Sequence, residues 1–114
     1  MKFIFEIKLK PGHTEEEYKA AWKRGGSIIQ KEPGAQGTKL YNKIGESGKL
    51  IAIATWESKA VRDAAMEHLK YVNAETTDIL EKHKEYGEIN ILGYFEEPPL
   101  SVDPESNKDD DNVY

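Results

Sequence analysis

The stretch KLIAIATW, residues 49–56, decides the fold of this 114-residue chain. It is short, apolar and bounded by a glycine before it and by Glu57 and Ser58 after it, which is typical of a β-strand. Successive side chains of a strand point to opposite faces of its sheet. Because every position from Leu50 to Ala54 is apolar, both faces of the sheet need a cover at this strand.

Further elements lie on both sides of this strand. Residues 2–9 carry an apolar side chain at every second position, which predicts another strand. Thr14 and Glu17 form a capping box that starts a helix running to about residue 31, and Ser58 caps a second helix. The remaining predicted elements are a strand over 38–44, a hairpin turn over 45–48, a helical stretch over 74–84 and a strand over 88–95.

The order β-α-β-β-α-β predicts an α+β, ferredoxin-like fold, with a four-stranded antiparallel sheet and helices on one face only. No further helices remain to cover the other face. The simplest cover is the same sheet of a second copy, packed face to face about 10 Å away. The sequence therefore predicts a homodimer through the helix-free face, a dimeric α/β barrel.

The charge of the chain is unevenly distributed. Residues 96–114 contain seven acidic side chains and one lysine, whereas residues 1–95 are nearly neutral. We therefore divide the chain into a body, residues 1–95, and an acidic tail, residues 96–114. The tail is predicted to dock on the body or on a partner subunit through Leu100, Val102 and Tyr114. A nearly neutral body offers no basic patch, which argues against a nucleic-acid partner.

The composition also bounds the compartment and the chemistry. The chain contains no cysteine, which excludes a thiolate nucleophile and a cysteine-based metal site. Its longest apolar runs are far shorter than the roughly 20 residues of a membrane-spanning helix. We expect a cytoplasmic protein with no membrane partner.

Two segments carry a family resemblance. PGAQGTKLY, residues 33–41, and LIAIATWESKAVRDAAMEHLKY, residues 50–71, resemble the dimeric α/β-barrel superfamily and, within it, the antibiotic-biosynthesis-monooxygenase-like group. The resemblance implies a cleft between helices and sheet for an apolar or aromatic small molecule, and oxygenase chemistry without metal or flavin. Haem-degrading relatives use an asparagine on the first strand, and MKFIFEIKL has none. That departure argues against haem degradation.

The resemblance also suggests site residues. Trp56 matches the family's tryptophan at the end of strand three, and His68 lies near the helix position of its histidine. We predict both as catalytic, and we predict a ligand-binding set that consists of Tyr18, Trp22, Gly25, Trp56, His68 and Tyr71. For each aromatic residue the alternative is packing in the core, and for His68 it is a hydrogen-bonded helix residue.

The other histidines do not suggest a metal site. His13 lies in a predicted loop and His83 is expected to be exposed, and no two histidines are three or four residues apart. We predict neither a metal nor a cofactor. GESGK, residues 45–49, lacks the spacing of a phosphate-binding loop and joins two strands, so we interpret it as a hairpin turn.

Two adjacent glycines, Gly25 and Gly26, lie within the predicted first helix, in the stretch AWKRGGSIIQ, residues 21–30. The apolar stripe from Trp22 to Ile29 stays in phase across them, so the helix is predicted to continue. Each glycine costs a helix about 1 kcal/mol relative to alanine. The absence of a side chain at Gly25 therefore leaves space, either for close approach of the sheet or for a ligand.

Two functions follow. The first is binding of an apolar or aromatic small molecule, with cofactor-independent monooxygenation as its chemistry. The alternative is a non-enzymatic module that binds a fatty-acid-like molecule or serves assembly. The sequence leaves open whether the protein is an enzyme.

Overall fold

The computed structural model describes residues 1–98 and 100–104, and it shows the predicted ferredoxin-like arrangement. Its elements are β1 (Lys2–Leu9), α1 (Glu15–Ile29), β2 (Ala35–Asn42), β3 (Lys49–Trp56), α2 (Lys59–Lys70), α3 (Ala74–Glu81), α4 (His83–Tyr86) and β4 (Gly87–Phe95). The four strands form one antiparallel sheet in the order β2-β3-β1-β4. Strands β1 and β3 are therefore central, and the helices lie on one face.

Local signals in the sequence set most of these boundaries. The Thr14 hydroxyl accepts a hydrogen bond from the backbone N–H of Glu17 at 3.1 Å, and the Glu17 carboxylate accepts one from Thr14 N–H at 2.9 Å. Ser58 caps α2 in the same way through Val61 N–H. Helix α1 ends two residues before the predicted position, and β2 begins three residues before it. The helical stretch predicted over 74–84 is divided into α3 and α4.

Strand register assigns each side chain to a face. Phe3 lies opposite Ala54 and Ile7 lies opposite Leu50, and these residues point toward the helices. We call this the helix-covered face; the buried core cluster on it comprises Ile7, Tyr18, Leu50 and Ala52. The other surface, the helix-free face, carries the apolar side chains of Ile4, Tyr41, Ile51, Ile53 and Phe95. Both faces are apolar at β3, as the sequence predicts.

A β-bulge in β4 changes which residues face the helices. Tyr94 lies opposite Phe3 and Ile91 lies opposite Phe5, so one extra residue sits between them and the register shifts. Gly93 adopts φ of +126° at the bulge, a conformation that side chains with a Cβ rarely adopt. As a result, Tyr94 and Ile91 both point to the helix-covered face.

The segment after β4 has no regular structure in its described residues. Glu97 forms an ion pair with Lys2 at 3.4 Å, whereas Leu100 and Val102 are 82% and 89% exposed. Their contact with a partner remains a prediction, and Tyr114 lies outside the described residues. No helix in the described part of the chain combines the length and apolar character needed to cross a membrane.

Candidate functional site

A cavity of about 310 Å³ lies between the helices and the sheet on the helix-covered face. Its walls are mainly apolar. The larger apolar side chains that line it are those of Phe3, Phe5, Trp22, Ile29, Trp56, Met66, Leu69, Leu80, Ile89 and Ile91. Ile91 in β4 lines the cavity and is 61% exposed, so the cavity meets solvent at this residue. It lies in the cleft between helices and sheet that the sequence predicts.

Helix α1 contributes one wall through residues at helical spacing. Trp22, Gly25 and Ile29 line the cavity, and α1 continues through both glycines as predicted. The close neighbour of Gly25 is helix α3 and not the sheet. A Cβ at Gly25 would lie 3.6 Å from the carbonyl oxygen of Ile79 and 3.7 Å from Leu80 Cδ2. A Cβ at position 25 would therefore be in ordinary contact with α3, and the absence of a side chain there widens the cavity.

Helix α2 contributes Arg62, Met66 and Leu69, which lie on one helical stripe. His68 is rotated by about 100° from Leu69 and points away from this stripe. Its side chain is 63% exposed, and its Nδ1 lies 2.9 Å from Glu32 Oε1. Tyr71 follows the end of α2 and is 77% exposed.

The structure therefore brings together half of the predicted ligand-binding residues. Trp22, Gly25 and Trp56 line the same cavity, and Trp56 is almost completely buried. His68 and Tyr71 are outside the lining. Tyr18 is fully buried behind the cavity, where it contacts a histidine that does line it.

That histidine is His83, at the start of α4. The prediction that His83 is exposed was wrong: its side chain is half-buried and lines the cavity. Its Nδ1 lies 2.9 Å from the hydroxyl of Tyr18, and its ring lies 6.1 Å from the ring of Phe5. Tyr18 and His83 are 65 residues apart in sequence, so only the tertiary fold brings them into contact.

Burial keeps both members of this pair neutral. It raises the pKa of Tyr18 well above its usual value. It also lowers the pKa of His83, with a smaller lowering from Lys84 that Glu81 partly opposes. Within the described residues the hydroxyl of Tyr18 has no other hydrogen-bond partner, so we assign its O–H as donor to Nδ1. The proton of the neutral imidazole is then on Nε2, which is free to donate a hydrogen bond.

A second polar group lies elsewhere on the cavity lining. The guanidinium of Arg62 stacks over the Phe3 ring at 3.9 Å, and its Nη1 donates a hydrogen bond to the Tyr94 hydroxyl at 2.9 Å. The rings of Phe3 and Phe5 are 5.7 Å apart. Arg62 stacks on the first of these rings and His83 lies next to the second, so the two polar groups lie along the same strand, β1.

The other charged lining residues have partners of their own. Lys84 Nζ lies 2.9 Å from Glu81 Oε1, and Lys70 Nζ lies 3.5 Å from Glu67 Oε1. Across residues 1–98 and 100–104, no three His, Asp or Glu side chains are grouped as potential metal ligands. We therefore assign the neutral His83–Tyr18 pair as the group that can take part in proton transfer or hydrogen bonding in the cavity.

Comparison with protein families identifies the family of this chain. The family model for antibiotic biosynthesis monooxygenases matches residues 1–76. The chain belongs to the antibiotic biosynthesis monooxygenase family. The matched part contains Trp22, Trp56 and Arg62, whereas His83 lies beyond it. Comparison with curated proteins finds no match for the chain.

Solved structures share the fold of this antibiotic biosynthesis monooxygenase family member. SnoaB from Streptomyces nogalater, a cofactor-independent oxygenase, is 12% identical with a TM-score of 0.64, over 87% of this chain and 96% of SnoaB. A Nitrosomonas europaea protein assigned to the antibiotic biosynthesis monooxygenases is 14% identical with a TM-score of 0.66, over 88% and 92%. A conserved Methanosarcina mazei protein is 18% identical with a TM-score of 0.61, over 81% and 89%. At these identities the likeness establishes the fold.

Proposed function

We propose that the cavity binds an aromatic small molecule and that the protein is a cofactor-independent monooxygenase. The observation that carries this proposal is a mainly apolar cavity lined by the half-buried imidazole of His83, which is hydrogen-bonded to the buried hydroxyl of Tyr18. Membership of the antibiotic biosynthesis monooxygenase family supports it. The shared fold of SnoaB, which is a cofactor-independent oxygenase, is consistent with it.

The size and walls of the cavity favour a flat ligand of two or three rings. An engineered apolar cavity of about 150 Å³ accommodates benzene. The cavity here, at about 310 Å³, has roughly twice that volume, and a third ring would extend through its opening beside Ile91. Trp22, which is partly exposed, supplies an aromatic surface on which a planar ring can stack. Trp56 also lines the cavity, but it is almost completely buried and exposes little of its surface there.

The proposed reaction converts an activated CH₂ group into a ketone: R₂CH₂ + O₂ gives R₂C=O + H₂O. The CH₂ group loses a proton to solvent water, which gives an enolate, and the enolate carbon bonds to O₂. The resulting peroxide anion takes a proton back from water. The remaining C–H bond and the O–O bond then break together, water leaves, and the ketone is formed. The substrate supplies all the electrons that O₂ accepts. His83 Nε2–H donates a hydrogen bond to the enolate oxygen, because a neutral imidazole next to developing negative charge stabilises it.

The proposed assembly is a homodimer formed through the helix-free face. Ile4, Ile51 and Ile53 lie at its centre, and Tyr41 and Phe95 are more than two-fifths exposed. These residues form an apolar patch at the centre of the sheet, with Glu6 and Lys39 beside it on the same face. An exposed apolar patch with polar residues around it is typical of an interface. A second copy would present the same pattern across a two-fold axis, with the two sheets about 10 Å apart.

Oxygen consumption tests the catalytic proposal. Anthrone, which carries an activated CH₂ between aromatic rings, is offered to the purified protein, with oxygen uptake and ketone formation measured together. We expect turnover in the wild type and a loss of about 10²-fold in His83→Gln, the size of effect seen when one oxyanion donor is removed. His68→Gln tests the role that the sequence predicts for that residue, and we expect a change of less than about twofold, since its side chain lies outside the cavity.

The outcomes separate the two histidines. Turnover that depends on His68 and not on His83 would restore the sequence prediction and refute the site described here. Absence of oxygen uptake with anthrone and with naphthalene diols, together with measurable binding of these compounds, would refute monooxygenation and leave a binding protein.

A binding module is the second candidate function. Two observations support it, because each removes a possible general base from the cavity. The assigned tautomer of His83 leaves no free imidazole lone pair, and the carboxylate of Glu81 is paired with Lys84. Native mass spectrometry of protein purified from cells distinguishes the two functions. A co-purifying apolar ligand without oxygen uptake would favour binding, and turnover without a retained ligand would favour catalysis.

A further inference from the structure

We propose that Arg62 binds a carboxylate on the ligand, so that the cavity selects aromatic acids over neutral aromatic compounds. This inference rests on the proposed binding function of the cavity, and it names the chemical class of the ligand. Three observations carry it: how Arg62 is held, what it lacks, and where it lies relative to His83.

Arg62 is held in one orientation by two contacts. Its guanidinium lies 3.9 Å above the centre of the Phe3 ring, and its Nη1 donates to the Tyr94 hydroxyl at 2.9 Å. A stacked arginine is weakly hydrated and keeps its remaining N–H donors in the plane of the guanidinium. That planar edge matches the two oxygens of a carboxylate, which arginine binds through paired hydrogen bonds.

Arg62 has no carboxylate partner within the described residues. Lys70 and Lys84, the lysines that line the cavity, are paired with Glu67 and Glu81. Arg62 is half-buried, and its guanidinium stacks on aromatic rings and donates to a neutral hydroxyl. A ligand carboxylate would give Arg62 the negatively charged partner that Glu67 and Glu81 give to the two lysines.

The position of Arg62 defines where the acid group sits on the ligand. Arg62 stacks on Phe3, and His83 lies next to Phe5, two residues further along β1. The rings of Phe3 and Phe5 are 5.7 Å apart, which is comparable with the length of a fused two-ring system. The ligand is therefore an aromatic hydroxy acid with its carboxylate near Arg62 and its hydroxyl or enolate oxygen near His83.

Isothermal titration calorimetry at about pH 7.5, where a carboxylate is ionised, tests this inference with two matched compounds. The probes are 6-hydroxy-2-naphthoate and 2-naphthol, which differ only by the carboxylate. We expect the wild type to bind the naphthoate about tenfold more tightly or better, as a charge-assisted arginine–carboxylate pair predicts. In Arg62→Gln this preference should disappear, so that the ratio of the two affinities falls to about one whatever the change in the affinity for 2-naphthol itself.

Lys59→Gln is the matched control. Lys59 is also a cation on α2, but it is paired with Asp63 at 2.7 Å and does not line the cavity. It should keep the preference for the naphthoate, which excludes a general effect of net charge. Arg62→Lys keeps the charge without the planar edge, and we expect it to retain only part of the preference.

Each result has a separate meaning. Equal affinity of the wild type for the two compounds overturns the inference and leaves the aromatic-binding cavity in place, and this comparison needs no variant. A preference that persists in Arg62→Gln overturns the assignment to Arg62. Failure of both compounds to bind overturns the proposed cavity function itself.

Discussion

The two faces of the sheet are built from alternate residues of the same strands, yet they differ in how their side chains vary in size. The helix-covered face sets small residues such as Ala54 beside Phe3 and Trp56, and it encloses a cavity. The helix-free face carries Ile4 and Ile53, which are equal in size and lie directly opposite each other. Alternation in size leaves room for a ligand, whereas the matched pair of isoleucines gives a flat apolar centre suited to another sheet, with Glu6 and Lys39 beside it on the same face.

The largest effect is expected on the helix-free face. Ile53→Asp would place an unpaired charge between the two proposed sheets, at a cost of about 3 kcal/mol or more. That corresponds to roughly a hundredfold weaker dimerisation. Sedimentation velocity should show a monomer. Ile53→Val is the control and should remain dimeric, because it keeps an apolar side chain at the same position. A dimer that survives the aspartate would show that this face is not the interface.

The next effect belongs to the helix-covered face. A Cβ at Gly87 would lie 2.7 Å from Ile7 Cγ2 and 3.4 Å from the Tyr18 ring. Gly87→Ala should therefore destabilise the fold by about 2 kcal/mol through overpacking, without changing the oligomeric state. Denaturant unfolding measures the loss. Gly26→Ala is the control, since its Cβ would meet only Thr38 Cγ2 at 3.8 Å, and it should not lose stability.

His83 should make the helix-covered face sensitive to pH. Burial lowers the pKa of His83 in the folded state, so below about pH 6.5 the unfolded chain binds a proton that the folded chain does not. Stability should fall as the pH is lowered through this range, by at most about 1.4 kcal/mol per pH unit. Urea unfolding at several pH values should show a shallower dependence in His83→Gln. If stability depends on pH in the same way in both proteins, His83 is as solvated in the folded protein as in the unfolded chain.

The smallest effect on the free energy of unfolding is expected at Gly25, where the substitution should stabilise the protein instead of destabilising it. A Cβ there would make ordinary contacts of 3.6 to 3.8 Å with α3. Gly25→Ala should therefore stabilise α1 by about 0.5 to 1 kcal/mol. Gly25→Leu projects a larger side chain into the cavity and should abolish aromatic binding. A stable leucine variant with unchanged affinity would place the ligand elsewhere.

The fold could be predicted because its signals are local. The apolar run Leu50–Ala54, the capping box at Thr14 and the cap at Ser58 each specify an element within a few residues. The number and order of these elements then limit the topology. Periodicity also predicts that Trp22 and Gly25 share one stripe of α1 with Ile29.

The site could be predicted only in part because it depends on tertiary contacts. His83 stands between Lys82 and Lys84 in a polar stretch, so no apolar pattern marks it as buried. Its burial comes from Tyr18, which is distant in sequence. One signal was available on α2: the spacing of Arg62, Met66 and Leu69 defines a stripe from which His68 is excluded.

Both tryptophans of the protein, Trp22 and Trp56, line the cavity. Indole emission responds to the polarity around the ring and to nearby acceptors of excitation energy. Nearly all of the intrinsic fluorescence signal of this protein should therefore originate at the candidate site. A ligand that enters the cavity will change that emission without any attached dye, so candidate substrates can be screened on the unmodified protein by a change in the intensity or wavelength of its own light.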